Sequence, residues 1–247
     1  MNQTLREEFL TQWDTYFPGA NLPIVISYVD KVVSLPEEKP SAGFHCIICD
    51  LAAVRDGATR VLGRESIRCG GARRYLGFET EMRPNFAQFL ACGIPGELEG
   101  ERYKRSPALV EQYLQNQPLF EAPGRSIAFK RWDRLEPSDT PEIVVFFAPP
   151  DVLSGLFTLA NFDEDRSDGV VTPFGSGCSS VVYHPYRELQ SERPRAVLGM
   201  FDVSARPCIT SDVLSLAIPW PKFVDMVRYM DESFLVTRSW DRVRSRL

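Results

Sequence analysis

The sequence is poor in histidine, lacks long apolar runs and carries no excess of positive charge. Its two histidines in 247 residues leave few candidates for the base of a Cys/His pair. No run approaches the roughly 18 apolar residues that a membrane-spanning helix needs. The net charge of −5 argues against general binding to nucleic acids or to anionic membranes. We therefore expect no nucleic-acid partner and no membrane partner.

The overall composition is that of a globular protein. Hydrophobic residues make up 44% of the chain and charged residues 25%, which excludes collagen-like, disordered and coiled-coil classes. The first residues carry acids, Glu7 and Glu8, where a secretory signal needs positive charge followed by an apolar run. We therefore expect a cytoplasmic protein. In that setting we expect its six cysteines to be mostly thiols, metal ligands or catalytic groups, with disulfides as the less favoured alternative.

Alternating strand and helix patterns predict an α+β fold, a layered α/β sandwich in which helices cover a mixed sheet. We expect a single domain over residues 1–247, with a Pro/Gly-rich surface excursion around residues 79–125. The predicted elements include a helix from Leu5 to Phe17 with a capping box at Thr4 and Glu7, a strand at Ile24–Val29, a helix at Cys46–Arg55, a short helix within Cys69–Phe78, a helix near Pro107–Asn116, and strands at Ser126–Trp132 and Ala196–Met200.

The second half of the chain contains two stretches with a similar sequence pattern. Residues Ile143 to Leu159 and Leu214 to Met230 share apolar and proline positions at an offset of 71 residues. Both stretches predict a strand, a proline turn and an amphipathic helix, because proline is tolerated in a first helical turn. Internal duplication and chance similarity both remain open.

The stretch from Val170 to Val182 is the most informative in the sequence. It holds two glycines, a cysteine and two serines in close succession: Gly175, Gly177, Cys178, Ser179 and Ser180. Glycine allows the backbone to approach a ligand closely. A helix beginning at Ser179 would direct free backbone N–H groups at an anion or a thiolate.

Common catalytic motifs do not fit this stretch. A nucleophile elbow has glycines two residues before and after the nucleophile, whereas Ser176 and Ser180 occupy those positions around Cys178. A phosphate-binding loop of the Walker type needs a lysine that is missing here. His184 lies six residues after Cys178, and on a continuous helix it would point away from it.

Two further cysteine motifs are candidates for chemistry. Cys46 and Cys49 form a C-x-x-C pair on one face of a predicted helix, with His45 on the same face as Cys49. A single such pair is weak evidence for zinc. For Cys49, as for Cys92 and Cys208, the alternative is a small buried hydrophobic residue.

Cys69 is followed by two glycines and two arginines: Gly70, Gly71, Arg73 and Arg74. Nearby guanidinium groups favour the reactive thiolate and also bind carboxylate or phosphate. The alternative is a tight turn with solvated arginines. Further along the chain, Asp202 and Arg206 either form an ion pair or present Arg206 to a ligand.

At these motifs the chain resembles an uncharacterised prokaryotic family, domain of unknown function 169. The resemblance covers most of the chain, and its carriers are Cys46, Cys69-Gly70-Gly71, Tyr75–Phe78, Ala148–Leu156, Phe174–Ser180, Phe201-Asp202, Ser204, Arg206-Pro207 and Ile218-Pro219. The family implies no activity. Some relatives place another cysteine before the Ala-Arg pair, where this chain has Met200 and Phe201, so the resemblance does not imply a four-cysteine site.

Three functions remain in competition. The first is a metal or cofactor site in which Cys46, Cys69 and Cys178 converge, with Cys49 or His45 as fourth ligand. Four thiolates suit an iron–sulfur cluster, and four Cys/His ligands suit zinc.

The second function is a thiolate enzyme or redox sensor that uses Cys178, with the N–H groups of Gly177 and Ser179 as an anion site. The third is a non-catalytic module for a small anionic ligand. Its candidate ligand-binding residues, some shared with the other functions, are Gly70, Gly71, Arg73, Arg74, Gly175, Gly177, Ser179, Ser180, Asp202 and Arg206. The sequence indicates a small-molecule or metal ligand and leaves the oligomeric state open.

Overall fold

The computed structural model describes residues 3–30 and 46–247, so His45 lies outside the described residues. Within that part of the chain, seven strands form one mixed sheet in the order β2-β3-β1-β4-β7-β6-β5. The strands are β1 (Ile24–Val29), β2 (Arg60–Gly63), β3 (Ser126–Arg131), β4 (Ile143–Ala148), β5 (Val170–Val171), β6 (Ala196–Gly199) and β7 (Leu214–Pro219). The short β5 pairs with β6 in parallel, and the other neighbours are antiparallel.

Helices cover both faces of this sheet, which confirms the predicted α+β fold. The α-helices are α1 (Gln3–Tyr16), α2 (Ile47–Arg55), α3 (Gly70–Tyr75), α4 (Phe86–Leu90), α5 (Pro107–Gln115), α6 (Pro150–Leu159), α7 (His184–Leu189), α8 (Trp220–Tyr229) and α9 (Arg238–Arg244). A π-helix at Ser179–Tyr183 precedes α7, and short 3-10 turns lie at Trp132–Arg134, Arg206–Cys208, Met230–Glu232 and Phe234–Val236. No helix in the described ranges is long and apolar enough to cross a membrane.

Alternation along the strands divides the buried residues into two clusters. In β4, Val145 packs into one cluster and its neighbours Val144 and Phe146 pack into the other, because successive side chains point to opposite faces. The first cluster, which we call the cysteine face, includes residues from α2, α3, the π-helix and α7. The second, the aromatic face, includes residues from α1, α6, α8 and α9. The candidate cysteines therefore share one side of the sheet.

The predicted strand–proline–helix units are present twice. Strand β4 leads through Pro149 and Pro150 into α6, and β7 leads through Pro219 into α8. The two strands pair antiparallel, and residues of both helices pack into the aromatic face. The similar local structures explain why the two stretches share apolar and proline positions. That they arose by internal duplication stays a prediction.

Element boundaries agree closely with the sequence patterns, with one exception. Strand β1 spans the predicted residues, and α2 begins one residue after Cys46. The predicted capping box at Thr4 is wrong, since α1 already includes Gln3 and Thr4 lies inside the helix.

Candidate functional site

Three cysteines from distant segments lie at the starts of helical segments. Cys46 and Cys69 are extended residues immediately before α2 and α3. Cys178 has helical backbone angles and lies in the first turn of the helical segment that begins at Gly177 and continues as the π-helix. Cys178 is buried with 7% of its surface exposed, and Cys46 and Cys69 are half-buried against the same cluster on the cysteine face. The fold therefore brings all three thiols to one side of the sheet, although the sequence separates them widely.

The pKa values of Cys46 and Cys178 both respond to neighbouring thiols. Burial raises the pKa of Cys178 well above its usual range; the hydroxyl of Ser176 opposes the rise, and Cys69 and Cys46 add to it. Burial also raises the pKa of Cys46; there the N–H group of Ile48 opposes the rise and Cys69 adds to it. Burial and, after it, the neighbouring negative charges therefore favour the neutral thiol form of Cys46 and Cys178.

A compact set of hydrogen bonds fixes the backbone around Cys178. The Ser176 hydroxyl lies 3.1 Å from the Cys178 sulfur and accepts from the Ser179 N–H at 3.2 Å. The Ser179 hydroxyl donates to the Ser176 carbonyl at 2.7 Å, and that of Ser180 donates to the Gly177 carbonyl at 2.8 Å. The following residues form a π-helix, a rare element that is frequent at functional sites.

Gly177 allows three segments to meet beside Cys178. A methyl group added at Gly177 would lie 3.0 Å from carbon atoms of Ile48 and Ala205 and 3.2 Å from the Met200 sulfur. These neighbours belong to α2 and to the loop after β6. The predicted close approach at this glycine is thus made by the protein's own side chains.

Asp202 lies in that loop and is held by hydrogen bonds at both carboxylate oxygens. Its Oδ2 accepts from the Gly177 N–H at 2.8 Å. Its Oδ1 accepts from the Ser204 N–H at 3.0 Å and from the Ser204 hydroxyl at 2.8 Å. The Asp202 charge also raises the pKa values of Cys46 and Cys178, after the larger effects of burial. A carboxylate therefore accompanies the three thiols.

The structure corrects the assignment of Cys49. Cys49 and Cys208 form a disulfide bond across a sequence separation of 159 residues. Cys49 is therefore unavailable as a fourth metal ligand, and neither it nor Cys208 is a simple buried hydrophobe. For these two cysteines, the disulfide that the sequence made the less favoured alternative is the one present. It connects α2 to the 3-10 turn Arg206–Cys208, directly after the Asp202 loop.

The backbone N–H groups of Gly177 and Ser179, which were predicted to be free for an anion, have acceptors within the protein. The Gly177 N–H donates to Asp202, and the Ser179 N–H donates to Ser176. They do not form an open anion site in this structure. At Gly175 an added methyl would collide with the Ser179 hydroxyl, whereas Gly70 has open space around it.

The arginines are likewise engaged by local partners. Arg73 pairs with Glu79 at 3.1 Å, and buried Arg74 donates to the Thr80 carbonyl at 2.5 Å. Arg206 donates to main-chain carbonyls instead of pairing with Asp202; its acceptors are Thr210, Ser211 and Val213. These contacts weaken the case for an anion site built from arginine.

Residues of the predicted excursion contact the loop before Cys178, and no sequence pattern indicated this contact. The Tyr113 hydroxyl of α5 donates to the Phe174 carbonyl at 2.9 Å. The Lys104 ammonium lies 4.1 Å from the centre of the Phe174 ring and 4.8 Å from that of Tyr113. Residues of the excursion therefore pack against Phe174, the residue immediately before Gly175.

Among the described residues, no hydrogen bond joins His184 to Cys178, whose sulfur contacts the Ser176 hydroxyl instead. The His184 Nε2 is buried without a hydrogen-bond partner among the described residues, and it lies 3.5 Å from where a Gly175 side chain would begin. Burial lowers the pKa of His184 to about 4, so the ring is neutral at neutral pH.

We expect alkylation to distinguish Cys178 from the exposed Cys92. With iodoacetamide near neutral pH, Cys92 should react first and Cys178 last, since the thiolate is the nucleophile and burial both shields Cys178 and raises its pKa. Peptide mass spectrometry over a time course measures the order. Faster labelling of Cys178 than of Cys92 would restore the hypothesis of a thiolate enzyme.

Among the described residues, no group of three or more histidine, cysteine, aspartate or glutamate side chains is arranged to hold a metal ion. Cys46, Cys69 and Cys178 are therefore not placed to hold a metal in this structure.

Comparison with known proteins gives a family and no activity. The sequence model of domain of unknown function 169, described as "Uncharacterised ArCR", matches residues 20–229. No curated protein and no solved structure matches the chain. The matched residues include all three free cysteines of the site, Cys46, Cys69 and Cys178, and the Asp202 loop. The chain therefore belongs to the family of domain of unknown function 169.

Proposed function

We propose that the chain binds a thiolate-ligated metal centre, a soft metal ion or an iron–sulfur cluster, through Cys46, Cys69 and Cys178. The main support is that three thiols from separate segments pack in the same cluster on the cysteine face, and that Cys69 raises the pKa of both other thiols. Thiolates are the ligands that zinc, copper(I) and iron–sulfur clusters prefer.

The ionisation of the group favours a metal over direct thiol chemistry. A nucleophilic cysteine needs a lowered pKa, yet burial raises those of Cys46 and Cys178. A bound cation reverses this effect, because it stabilises the thiolates and displaces their protons. Metal affinity should therefore rise with pH near neutrality.

Metal loading of anaerobically purified protein tests the proposal. Protein is mixed with Zn²⁺, Co²⁺, or iron with sulfide, then desalted, and metal content and visible absorption are measured. We expect about one centre per chain in the unmodified protein. The variants C46S, C69S and C178S should each lose most of it, since each removes a thiolate ligand.

Cys92 provides the matched control. It is a free and exposed cysteine that lies apart from the cysteine-face cluster, so C92S should bind metal like the unmodified chain. Thermal unfolding of every metal-free variant verifies that the fold is retained. Unmodified protein that stays free of metal under all three conditions, or cysteine variants that bind as C92S does, would exclude the proposed centre.

A further inference from the structure

The disulfide bond between Cys49 and Cys208 lies at the protein surface. Cys49 is exposed and Cys208 is half-buried, so the bond is open to attack by a thiol. A free thiol is close by along the chain, because Cys46 is half-buried, unbonded and three residues before Cys49. Exposed disulfides are the ones that exchange readily with thiols.

We infer that Cys46 and this disulfide form an internal exchange pair. The Cys46 thiolate attacks the Cys49 sulfur, a Cys46–Cys49 bond forms, and the Cys49–Cys208 bond breaks. Cys208 leaves as a thiolate and takes up the proton that Cys46 released, so no oxidant or reductant is consumed. The folded chain thus has two isomers with one disulfide each. The exchange does not depend on the proposed metal centre.

The start of α2 brings Cys46 and Cys49 together. Cys46 immediately precedes the helix in an extended conformation, and its carbonyl accepts from the Cys49 N–H at 3.0 Å. A side chain at this position is able to reach the second and third helical residues, and Cys49 is the third. Residues three apart at a helix start are neighbours, at a separation that a disulfide can bridge.

The attacking and the leaving cysteine lie on the same side of the sheet. The two residues between the cysteines of the C-x-x-C pair, Ile47 and Ile48, are buried in the cysteine-face cluster and anchor the first turn of α2. Cys46 and Cys208 are both partly buried and pack against that same cluster. The exchange therefore takes place at the border of one anchored helix, with Cys49 facing solvent.

The turn that carries Cys208 has hydrogen bonds of its own. The Cys208 N–H donates to the Ala205 carbonyl at 3.0 Å. The Arg206 guanidinium donates to three carbonyls that follow the turn, those of Thr210, Ser211 and Val213. Release of Cys208 from α2 therefore leaves these contacts in place, and the exchange requires no unfolding of the loop.

The two isomers differ in the part of the chain that the disulfide constrains. The Cys49–Cys208 bond spans a sequence separation of 159 residues, whereas a Cys46–Cys49 bond closes only one helical turn. The second bond constrains the unfolded chain far less, so the exchanged isomer unfolds more readily. The exchange thus unlinks α2 from the turn Arg206–Cys208 and replaces the free Cys46 thiol by a free Cys208 thiol.

Mapping the disulfide bonds of native, metal-free protein tests the exchange. The protein is held with a chelator under argon at mildly alkaline pH and is then quenched with acid. Its free thiols are blocked with N-ethylmaleimide before digestion and mass spectrometry. We expect peptides with the Cys46–Cys49 bond and, in equal amount, peptides with blocked Cys208. C46S should lose both signals and keep only the Cys49–Cys208 bond.

C92S provides the matched control, since Cys92 is free and lies apart from the cysteine-face cluster; both signals should persist in it. If C46S releases as much Cys208 as the unmodified protein, or if the unmodified protein holds only the Cys49–Cys208 bond, the inference is wrong. A Cys46–Cys208 bond, or loss of the signals in C69S instead of C46S, overturns it as well. The bond map of the unmodified protein needs no variant and no metal, so it decides the question even if C46S folds poorly or the metal centre fails.

Discussion

Replacing Cys208 by serine is expected to lower the free energy of unfolding by about 5 kcal/mol. The bond between Cys49 and Cys208 closes a sequence separation of 159 residues. A cross-link that closes so long a loop removes much conformational entropy from the unfolded chain. For a domain of this size, the loss corresponds to a fall in melting temperature of roughly 10–20 °C.

Urea unfolding under non-reducing conditions measures this effect. C49S should lose as much stability as C208S, and the double variant should lose no more than either single one, because all three remove the same bond. C92S serves as the control. A thiol titration of the denatured protein should count four thiols before reduction and six after it. Single variants within about 1 kcal/mol of the unmodified protein would contradict the predicted role of the bond.

Replacing Gly199 by alanine is expected to lower stability by about 1–3 kcal/mol and to weaken metal binding as well. A methyl group at this position in β6 would collide with the Cβ and hydroxyl of Ser180 and lie 3.1 Å from the Ser215 hydroxyl. Both serines are buried, so neither can move aside freely. Ser180 belongs to the π-helix that directly follows Cys178, and its displacement moves the cysteine.

Gly70 is the matched control for this change. It lies next to Cys69 at the start of α3, and a methyl group there would meet no atom within 4 Å. G70A should therefore change stability by less than about 0.5 kcal/mol and leave metal content intact. Urea unfolding and cobalt titration of the two variants make the comparison. If G199A and G70A have the same stability and bind the same amount of cobalt, β6 and the π-helix can move apart to accommodate the added methyl group.

Local structure could be predicted from the sequence where it depends on short-range patterns. Strand β1 was predicted from its apolar run, and the two strand–proline–helix units from their shared spacing. Helix α2 begins where the pattern of apolar residues begins, one residue after Cys46. In these cases the residues that decide the structure are close neighbours in the chain.

The partners of the site residues could not be predicted, because tertiary contacts decide them. Nothing near Cys49 in the sequence indicates Cys208 as its partner, and composition favoured free thiols. The same holds for Gly177, whose N–H donates to Asp202 across 25 positions. Arg206 was expected to face Asp202 or a ligand, but the turn that follows it offers three carbonyls. The residue types indicated which side chains belong to the candidate site. They did not indicate which disulfide and hydrogen-bond partners those side chains have.

The strand order has a consequence for how the protein reaches its native state. Strand β1 pairs with β3 and β4, although long intervening segments separate them in the chain. Such non-local pairing closes large loops, and the entropy lost on closure precedes the stabilising contacts between the strands. This order slows folding. All six sulfurs remain accessible to oxidants during that interval. Refolding yield should therefore depend on the thiol–disulfide buffer, with mismatched cross-links accumulating when oxidation outpaces sheet closure.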